Sequence, residues 1–578
     1  MSLRSEAWFG GQNVSGLIHR ASLRAGGAPD NVEGRPVVGL CSSYSELVHC
    51  NVHLRLLAES VRRGVLEAGG VPVEFPTISL SENLMKPTTM MYRNLMAMDV
   101  EEMIRSHPLD SVVLMGGCDK TIPAQLMGAI SVGVPAIVLP GGPSAPARFR
   151  GRDLGVGTDL WRYTDDVRAG RMSMEEYREL EGHMIPTHGH CNEMGTASTM
   201  AALTEALGFS LIGSSMVSAV SNVRAAIAEA TGRRAVGIAL EELSPRRILS
   251  LEALENAITL LNAIGGSTNA IIHLIALAGR SGIELPLEKF AEISSRTPRM
   301  TNVRPSGEYL TGELAEAGGI PAVLAELSGL LNLDAVTVSG RTLGAEIADA
   351  GSRDRRVIGT LREPIGPPGA LTVLKGSLAP RGAVLKRSAA SDGLLHHRGR
   401  ALIFEGIEDA LHRLEDPMLD VDRDSVLVLR GVGPVGAPGM PEWGMLPIPT
   451  KLLEQGVTDM VRVSDARMSG TAFGTVVLHV APEAAVGGPL ARLRDGDSIT
   501  LDVANGRLDV DVDPAEFEAR PLPESSKPAA TRGYRSLYEQ HVLQADQGCD
   551  FDFLRNAPDD PYGSTMPTGL FSGWFSGW

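Results

Sequence analysis

The chain has 578 residues, 43% of them hydrophobic and 21% charged, which is the composition of an ordinary globular protein and excludes a disordered or fibrous class. The formal net charge of −16 and the pI near 5.4 argue against a nucleic acid or an anionic membrane surface as partner. A chain of this length is expected to form two domains.

The first two thirds of the sequence alternate between strand-like and helix-like segments. Short buried strands are predicted at residues 36–40, 71–75, 111–115 and 135–139. Amphipathic helices are predicted at residues 53–68 and 88–106, and a further helix is expected to begin near Pro123 with Thr121 as its N-cap. This alternation predicts a mainly parallel sheet covered by helices.

No segment of the sequence is expected to enter a membrane or the secretory pathway. The longest uncharged stretch, residues 257–279, is interrupted by Gly265-Gly266 and is better explained as a buried helix broken by a loop. The first residues contain no hydrophobic signal segment, and five cysteines are too few for a disulfide scaffold. These features predict a cytoplasmic protein with reduced thiols.

The sequence changes character near residues 363–369, a Pro/Gly-rich segment that we interpret as a linker. Beyond it, strand-like runs are short, and the runs at 498–503 and 507–512 flank Asn505-Gly506, which predicts a hairpin. The fold class is therefore predicted as α/β, with a large N-terminal α/β domain at 1–365 and a smaller β-rich, barrel-like domain at 366–578. The Phe-Ser-Gly-Trp repeat at 571–578 is assigned no function.

Three of the five cysteines lie in loops that precede helices. Cys50 comes just before the helix at 53–68, Cys118 follows the strand at 111–115, and Cys191 precedes a helical run at 197–207. Ligands bind at the carboxyl ends of strands in open α/β sheets, and helix N-termini stabilise thiolates. No Cys-x-x-Cys pair is present, so from spacing alone inert buried thiols remain the alternative.

Longer motifs in the sequence resemble the dihydroxy-acid dehydratase/6-phosphogluconate dehydratase family. Gly116-Gly117-Cys118-Asp119-Lys120-Thr121 and Gly189-His190-Cys191-Asn192-Glu193-Met194-Gly195-Thr196-Ala197-Ser198 look like its paired signatures. Further agreeing stretches are Ser81-Glu82-Asn83, Gly265-Gly266-Ser267-Thr268-Asn269, Pro438-Gly439-Met440-Pro441-Glu442 and Ser464-Asp465-Ala466-Arg467-Met468-Ser469-Gly470-Thr471. The residues after Cys118 and Cys191 are most similar to the sugar-acid branch, which includes L-arabinonate and D-xylonate dehydratases.

The resemblance implies two inorganic centres. The iron–sulfur ligands would be Cys50, Cys118 and Cys191, with [2Fe–2S] favoured and [4Fe–4S] as the alternative. The Mg²⁺ ligands would be Glu82, Asp119, Glu442 and Lys120, which matches a lysine that is carbamylated in the family. Hard oxygen ligands suit Mg²⁺ and soft thiolates suit iron, so the two sites are chemically distinct.

The resemblance also implies a hydro-lyase. Ser469 matches the residue proposed as the base that removes the C2 proton, and Thr471 would lie beside the substrate. The expected reaction converts a 2,3-dihydroxy sugar acid, such as a pentonate or hexonate, into the 2-keto-3-deoxy acid with loss of the C3 hydroxyl. The expected partners are this small molecule and further copies of the chain, as a homodimer or homotetramer.

Several alternatives stay open at this point. The chain could be a branched-chain dihydroxy-acid dehydratase of valine and isoleucine biosynthesis, or a non-catalytic iron–sulfur binding protein. Without the resemblance, Asp119 would be interpreted as a helix cap, Lys120 as a solvated cation, and Ser469-Gly470 as a turn. Glu193 stands where the sugar-acid branch commonly has threonine, so the identity of the substrate is the least constrained prediction.

Overall fold

A four-stranded parallel sheet lies at the centre of the N-terminal half of the chain. The computed structural model describes residues 3–523 and 530–556, so the C-terminal Phe-Ser-Gly-Trp repeat lies outside the described residues. The sheet has the order β2-β1-β3-β4, with all neighbouring strands parallel. Its strands are β1 Val37–Ser42, β2 Val71–Pro76, β3 Ser111–Gly116 and β4 Ala136–Pro140. Strands β1, β3 and β4 are buried along their whole length because helices cover both faces, which confirms the predicted parallel sheet.

Helices supply most of the remaining structure of this half. They are α1 Glu6–Phe9, α2 Val14–Ala25, α3 Leu54–Glu67, α4 Thr89–Ser106, α5 Thr121–Val132, α6 Thr158–Arg168, α7 Met174–Met184, α8 Thr196–Ala206, α9 Asn222–Leu240, α10 Pro245–Ile248, α11 Leu251–Ala263, α12 Asn269–Arg280, α13 Leu287–Arg296, α14 Thr311–Glu316, α15 Gly319–Glu326 and α16 Leu343–Ile347. The short strands β5 Ala147–Phe149 and β6 Arg152–Leu154 form a hairpin.

Two predictions about these helices have different outcomes. The uncharged stretch at 257–279 is a buried helix pair, α11 and α12, interrupted at Gly265-Gly266 as predicted. The prediction that Thr121 caps α5 is wrong, because Thr121 is the first helical residue and Lys120 occupies the N-cap position without a side-chain cap bond. Within the described ranges, none of the helices combines the length and hydrophobicity needed to cross a bilayer.

The C-terminal half is built on a closed eight-stranded barrel with the strand order β10-β14-β13-β12-β11-β15-β16-β9. Its strands are β9 Thr372–Gly376, β10 Ala379–Leu385, β11 His396–Glu405, β12 Val426–Arg430, β13 Arg462–Ser464, β14 Val476–Ala481, β15 Ser498–Asp502 and β16 Arg507–Val510. Strands β15 and β16 form the predicted hairpin, with Gly506 at a φ of 63° in its turn. The closed barrel confirms the predicted barrel-like β fold.

The residues at the predicted linker are part of a sheet. Strand β8, Gly366–Pro368, pairs antiparallel with β7, Pro298–Arg299, and so attaches the Pro/Gly-rich segment to the N-terminal half. The boundary between residues 365 and 366 stays a prediction. The pairing of β7 with β8 connects the two halves by backbone hydrogen bonds where the chain passes from one to the other.

The end of the described chain returns to the N-terminal half. The remaining helices are α17 Gly406–Arg413, α18 Thr450–Glu454, α19 Pro514–Ala519 and α20 Gly533–His541. In the segment that follows α20, the carbonyl oxygens of Gly548 and Cys549 accept hydrogen bonds from the buried Arg93 side chain, at 2.9 Å and 2.8 Å. Arg280 forms a buried ion pair with Asp550 at 2.6 Å. Both halves of the molecule are thus joined at this C-terminal segment, residues 542–551.

Candidate functional site

A buried lysine lies among three carboxylates that come from distant parts of the chain. Lys120 Nζ is 3.1 Å from Glu82 Oε2, 3.1 Å from Glu442 Oε1 and 3.5 Å from Asp119 Oδ2. One carboxylate oxygen from each acid lies within 4.8 Å of the others, close enough for all three to bind one cation. Glu82 follows β2, Asp119 and Lys120 follow β3, and Glu442 follows the barrel strand β12.

The electrostatics of this acid cluster (Glu82, Asp119, Lys120 and Glu442) show how strongly it favours positive charge. Burial raises the pKa of Glu82 and of Asp119, because an ionised carboxylate is costly away from water. Burial acts in the same direction on Glu442, but Lys120 and Arg467 outweigh it and lower its pKa to about 2. The carboxylates in turn raise the pKa of Lys120 against the effect of its own burial.

This donor set fits a hard divalent cation. Carboxylate oxygens are the ligands that Mg²⁺ prefers, and three converging carboxylates exceed the charge that one lysine can neutralise. Lys120 would contribute a further oxygen ligand if it were carbamylated, and its Nζ already lies within hydrogen-bond distance of Glu442. Unlike the solvated cation of the alternative interpretation, Lys120 has a fully buried side chain.

The three predicted thiol ligands lie beside the acid cluster at the same edge of the parallel sheet. Cys50 and Cys118 pack together in a small buried group with Val48. The neighbouring Cys118 thiol, then burial and the charge of Cys191, raise the pKa of Cys50. Burial and the neighbouring Asp119 raise the pKa of Cys191.

Three thiols that interact in one place fit an iron–sulfur cluster better than they fit isolated core cysteines. Cys41 and Cys549, by comparison, are buried separately, and burial is the main cause that raises the pKa of each. Asp119 interacts electrostatically with Cys50 and Cys191 and also belongs to the acid cluster, so the two predicted inorganic sites are adjacent. The thiols, as soft ligands, and the carboxylates, as hard ligands, are thus neighbours but form two separate groups.

Ser469 lies in the loop that joins the parallel barrel strands β13 and β14. Its Oγ is 3.0 Å from Thr471 Oγ1, and the Thr471 backbone N–H donates to the same oxygen at 3.4 Å. Gly470 between them lies so close to the N-terminus of α8 that an added Cβ would be 2.6 Å from the Thr196 backbone nitrogen. The turn anticipated at Ser469-Gly470 therefore holds the Ser469 hydroxyl between two potential hydrogen-bond donors.

Two residues with no individual role in the sequence analysis link this loop to the acid cluster. Asn269 Nδ2 donates to Glu442 Oε1 (2.8 Å) and to the Met468 carbonyl oxygen (3.2 Å). Arg467 donates to Glu442 Oε1 (2.7 Å) and to the Met440 carbonyl oxygen (2.7 Å). Both lie in motifs that carry the family resemblance, so their positions could be anticipated, but their partners depend on contacts between the two halves of the chain.

The structure thus brings all the predicted site residues into one region. The four acid-cluster residues are in direct contact, the three thiols adjoin them through Asp119, and Asn269 connects the loop of Ser469 and Thr471 to Glu442. The roles assigned to these residues remain predictions. Both the parallel α/β half and the closed barrel contribute residues to this one site. The molecule therefore belongs to the class of enzymes whose active centre is formed by two parts of the chain.

The chain belongs to the dihydroxy-acid/6-phosphogluconate dehydratase family. The N-terminal domain of that family matches residues 35–346 and its C-terminal domain matches residues 356–549. The chain is therefore a hydro-lyase of this family, which argues against the non-catalytic alternative. Members of the family generally depend on an iron–sulfur cluster and magnesium.

Named relatives place the chain in the sugar-acid branch of the family. It is 48% identical to an L-arabinonate dehydratase from Rhizobium leguminosarum bv. trifolii over 97% of this chain and 98% of the relative. It is 49% identical to an L-arabonate dehydratase from Azospirillum brasilense, over 96% and 97% respectively. A dihydroxy-acid dehydratase from Ignicoccus hospitalis is 41% identical over 92% of this chain and 97% of its own length.

Proposed function

We propose that this enzyme dehydrates a sugar acid, a pentonate or hexonate, to the corresponding 2-keto-3-deoxy acid, with Ser469 as the base at C2. The observation that carries the proposal is the position of the Ser469 loop, which Asn269 connects to a cluster of three half-buried carboxylates and a buried lysine. The sugar-acid relatives, at 48% and 49% identity, support this substrate class over a branched-chain dihydroxy acid, for which the relative is 41% identical.

The acid cluster would hold Mg²⁺ and the three thiols would hold the iron–sulfur cluster. Glu82, Asp119 and Glu442, with Lys120 in carbamylated form, supply oxygen ligands for the first centre. Cys50, Cys118 and Cys191 supply sulfur ligands for the second, which we propose to be [2Fe–2S]. When bound, these centres supply Lewis acidity that stabilises negative charge on the substrate and assists departure of its C3 hydroxyl.

The protein's own part in the reaction is to move one proton and to hold the substrate. Ser469, once deprotonated, takes the proton from C2, and the electron pair left behind forms the C2–C3 double bond as the C3–O bond breaks. The proton that Ser469 has taken up then converts the departing hydroxide into water, which returns Ser469 to its deprotonated form. The enol product then becomes the 2-keto acid by moving the proton of its C2 hydroxyl to C3. Thr471, with its Oγ1 3.0 Å from Ser469 Oγ, orients that oxygen and would contact the substrate.

The proposal is tested with the anaerobically purified holoenzyme and a panel of aldonic acids beside 2,3-dihydroxyisovalerate. Formation of 2-keto-3-deoxy acid from a pentonate or hexonate at a higher kcat/KM than the branched-chain product supports it. The opposite preference would establish the branched-chain activity instead. Iron content and light scattering of the same sample report the cluster stoichiometry and whether the chain forms the proposed homodimer or homotetramer.

The role of Ser469 is tested with Ser469→Ala. Because the alanine has no group to accept the C2 proton, turnover should fall by at least about 10³-fold while iron content and Mg²⁺ binding persist. Ser352→Ala is the matched control, since Ser352 is also half-buried but its hydroxyl donates to the carbonyl oxygens of Asp354 and Ile358. Near-normal turnover by Ser469→Ala would remove Ser469 from the mechanism.

A further inference from the structure

A second buried lysine reaches the Ser469 loop from the barrel. Lys386 immediately follows β10 and is 1% exposed. Its Nζ donates to the Gly470 carbonyl oxygen at 3.2 Å. In the part of the chain that the structure describes, no carboxylate lies within ion-pair distance of it. An ammonium group buried with a single hydrogen bond is costly, and such groups are concentrated at functional sites.

The charged groups that face Lys386 do not form a conventional ion pair with it. Glu193 attracts its charge and Arg299 repels it, while burial has the largest effect and lowers the pKa of Lys386 to about 7. The Glu193 carboxylate is held elsewhere, because its Oε2 accepts the backbone N–H groups of Gly157 (2.7 Å) and Thr158 (3.0 Å) at the start of α6. Lys386 therefore directs its hydrogen bond at the Ser469 loop and not at an acid.

The acceptor of Lys386 and a donor to Ser469 belong to the same peptide group. That peptide consists of the Gly470 carbonyl and the Thr471 N–H, and Thr471 N–H donates to Ser469 Oγ at 3.4 Å. A cation hydrogen-bonded to the carbonyl oxygen polarises the peptide, which makes its N–H a stronger donor. A stronger donor stabilises negative charge on the oxygen that it faces.

We propose that Lys386 is a positioning residue that stabilises the deprotonated form of Ser469 through the Gly470–Thr471 peptide. The proposal rests on the proposed function, in which Ser469 is the base. Lys386 acts in its protonated form, which its lowered pKa favours below about pH 7, and it transfers no proton in the reaction. The charge on its Nζ favours the ionised Ser469 before the reaction, and the same contact persists when Ser469 has taken up the C2 proton.

The test compares Lys386→Met and Lys386→Gln with the wild-type holoenzyme over a range of pH. Loss of a charge-assisted hydrogen bond should lower kcat by about 10- to 100-fold and leave KM within about twofold. The acidic limb of the kcat–pH profile should move to higher pH, by about one unit for each tenfold loss. Lys386→Gln keeps a neutral N–H donor, so it should lose activity as Lys386→Met does, because the charge is what acts.

The outcomes distinguish this role from a structural one. A residue that only fixed the loop would lower kcat equally at all pH values, and a glutamine that restored wild-type kcat would likewise overturn the proposal. If Lys386→Met fails to fold, as judged by thermal unfolding and iron content, Lys386→Gln carries the test. Lys375→Met, which removes an exposed lysine on the neighbouring strand β9, is the control and should behave as wild type.

Failure of the proposed function would be recognised separately. If Ser469→Ala keeps its turnover, the base has been misassigned and both proposals fall. If Ser469→Ala is inactive but the two Lys386 variants retain the wild-type kcat and pH profile, only the role of Lys386 is wrong.

Discussion

Gly157 lies against Thr471, and replacing it with alanine should disturb the catalytic loop without unfolding the protein. Its backbone has a φ of −100°, which alanine adopts without strain. An added Cβ, however, would lie 1.9 Å from Thr471 Oγ1 and 2.3 Å from Thr471 Cβ. Gly157 is thus required by close approach, because the N-terminus of α6 contacts the loop that carries Ser469.

The size of the effect follows from the separation that the new methyl group requires. Ordinary contact begins near 3.4 Å, so Thr471 or the start of α6 must move by about 1 Å or more. A displacement of that size at reacting groups costs about 100-fold in rate, whereas overpacking of this kind costs about 1–3 kcal/mol of stability. Gly157→Ala should therefore lose far more kcat than it loses thermal stability.

The assay measures kcat, KM and the thermal unfolding midpoint of Gly157→Ala beside Gly182→Ala. Gly182 lies in α7, and an added Cβ there meets no atom within 4 Å. That control should keep wild-type activity and gain about 0.5–1 kcal/mol from helix propensity. If Gly157→Ala retains kcat within about twofold, the position of Thr471 does not constrain the reaction and the reasoning fails.

Three further predictions concern other parts of the molecule. Asp550→Asn should destabilise the protein by about 1–3 kcal/mol in chemical denaturation, because the buried Arg280 loses its 2.6 Å ion pair and keeps only its 2.9 Å ion pair with Glu101. Glu483→Gln should flatten the pH dependence of stability. Burial and then Asp465 raise the pKa of Glu483 in the folded protein to about 7, so the folded protein holds this proton more tightly than the unfolded chain does. Wild-type stability should then fall, on the order of 2–3 kcal/mol, between about pH 5 and 7, a fall that the variant lacks. Glu442→Gln should raise the Mg²⁺ concentration for half-maximal activity by about 100-fold or more and keep the visible absorbance of the iron–sulfur cluster.

Each of these three predictions has a result that would contradict it. Asp552→Asn removes an exposed acid two residues from Asp550, and equal stability losses in the two variants would show that the buried pair is not the cause. For Glu483, a variant whose stability still declines from about pH 5 to 7 would place the titrating group elsewhere. For Glu442, an unchanged Mg²⁺ requirement would remove this carboxylate from the metal site.

Much of the fold could be predicted from local patterns. Continuous apolar runs such as those of β1 and β3 occur because both faces of the parallel sheet are covered, and the Asn505-Gly506 turn marks its hairpin without reference to the rest of the chain. The N-cap of α5 was predicted wrongly for a reason that local rules omit. Lys120 occupies the N-cap position, and its side chain pairs with acids from both halves of the molecule instead of capping the helix.

The family motifs located the residues of the candidate site but not the contacts that organise it. The partners of Asn269 in the C-terminal half lie in loops more than 150 positions away in the sequence. The partner of Arg467 lies in the loop of Met440. Lys386 lies in none of these motifs, and only the closure of the barrel brings it under Gly470. A lysine in an unremarkable sequence gives no signal that it will be buried.

The C-terminal segment has a consequence for truncated variants of the enzyme. Met440, two residues before Glu442, is buried among Met90, Ile272, Ala545 and Cys549, so residues 545–549 form one wall around the loop that bears a proposed metal ligand. A variant that stops at residue 541 would keep Glu442 and Ser469 but lack that wall. Such a truncation would therefore disturb the candidate site although it removes none of the site's residues.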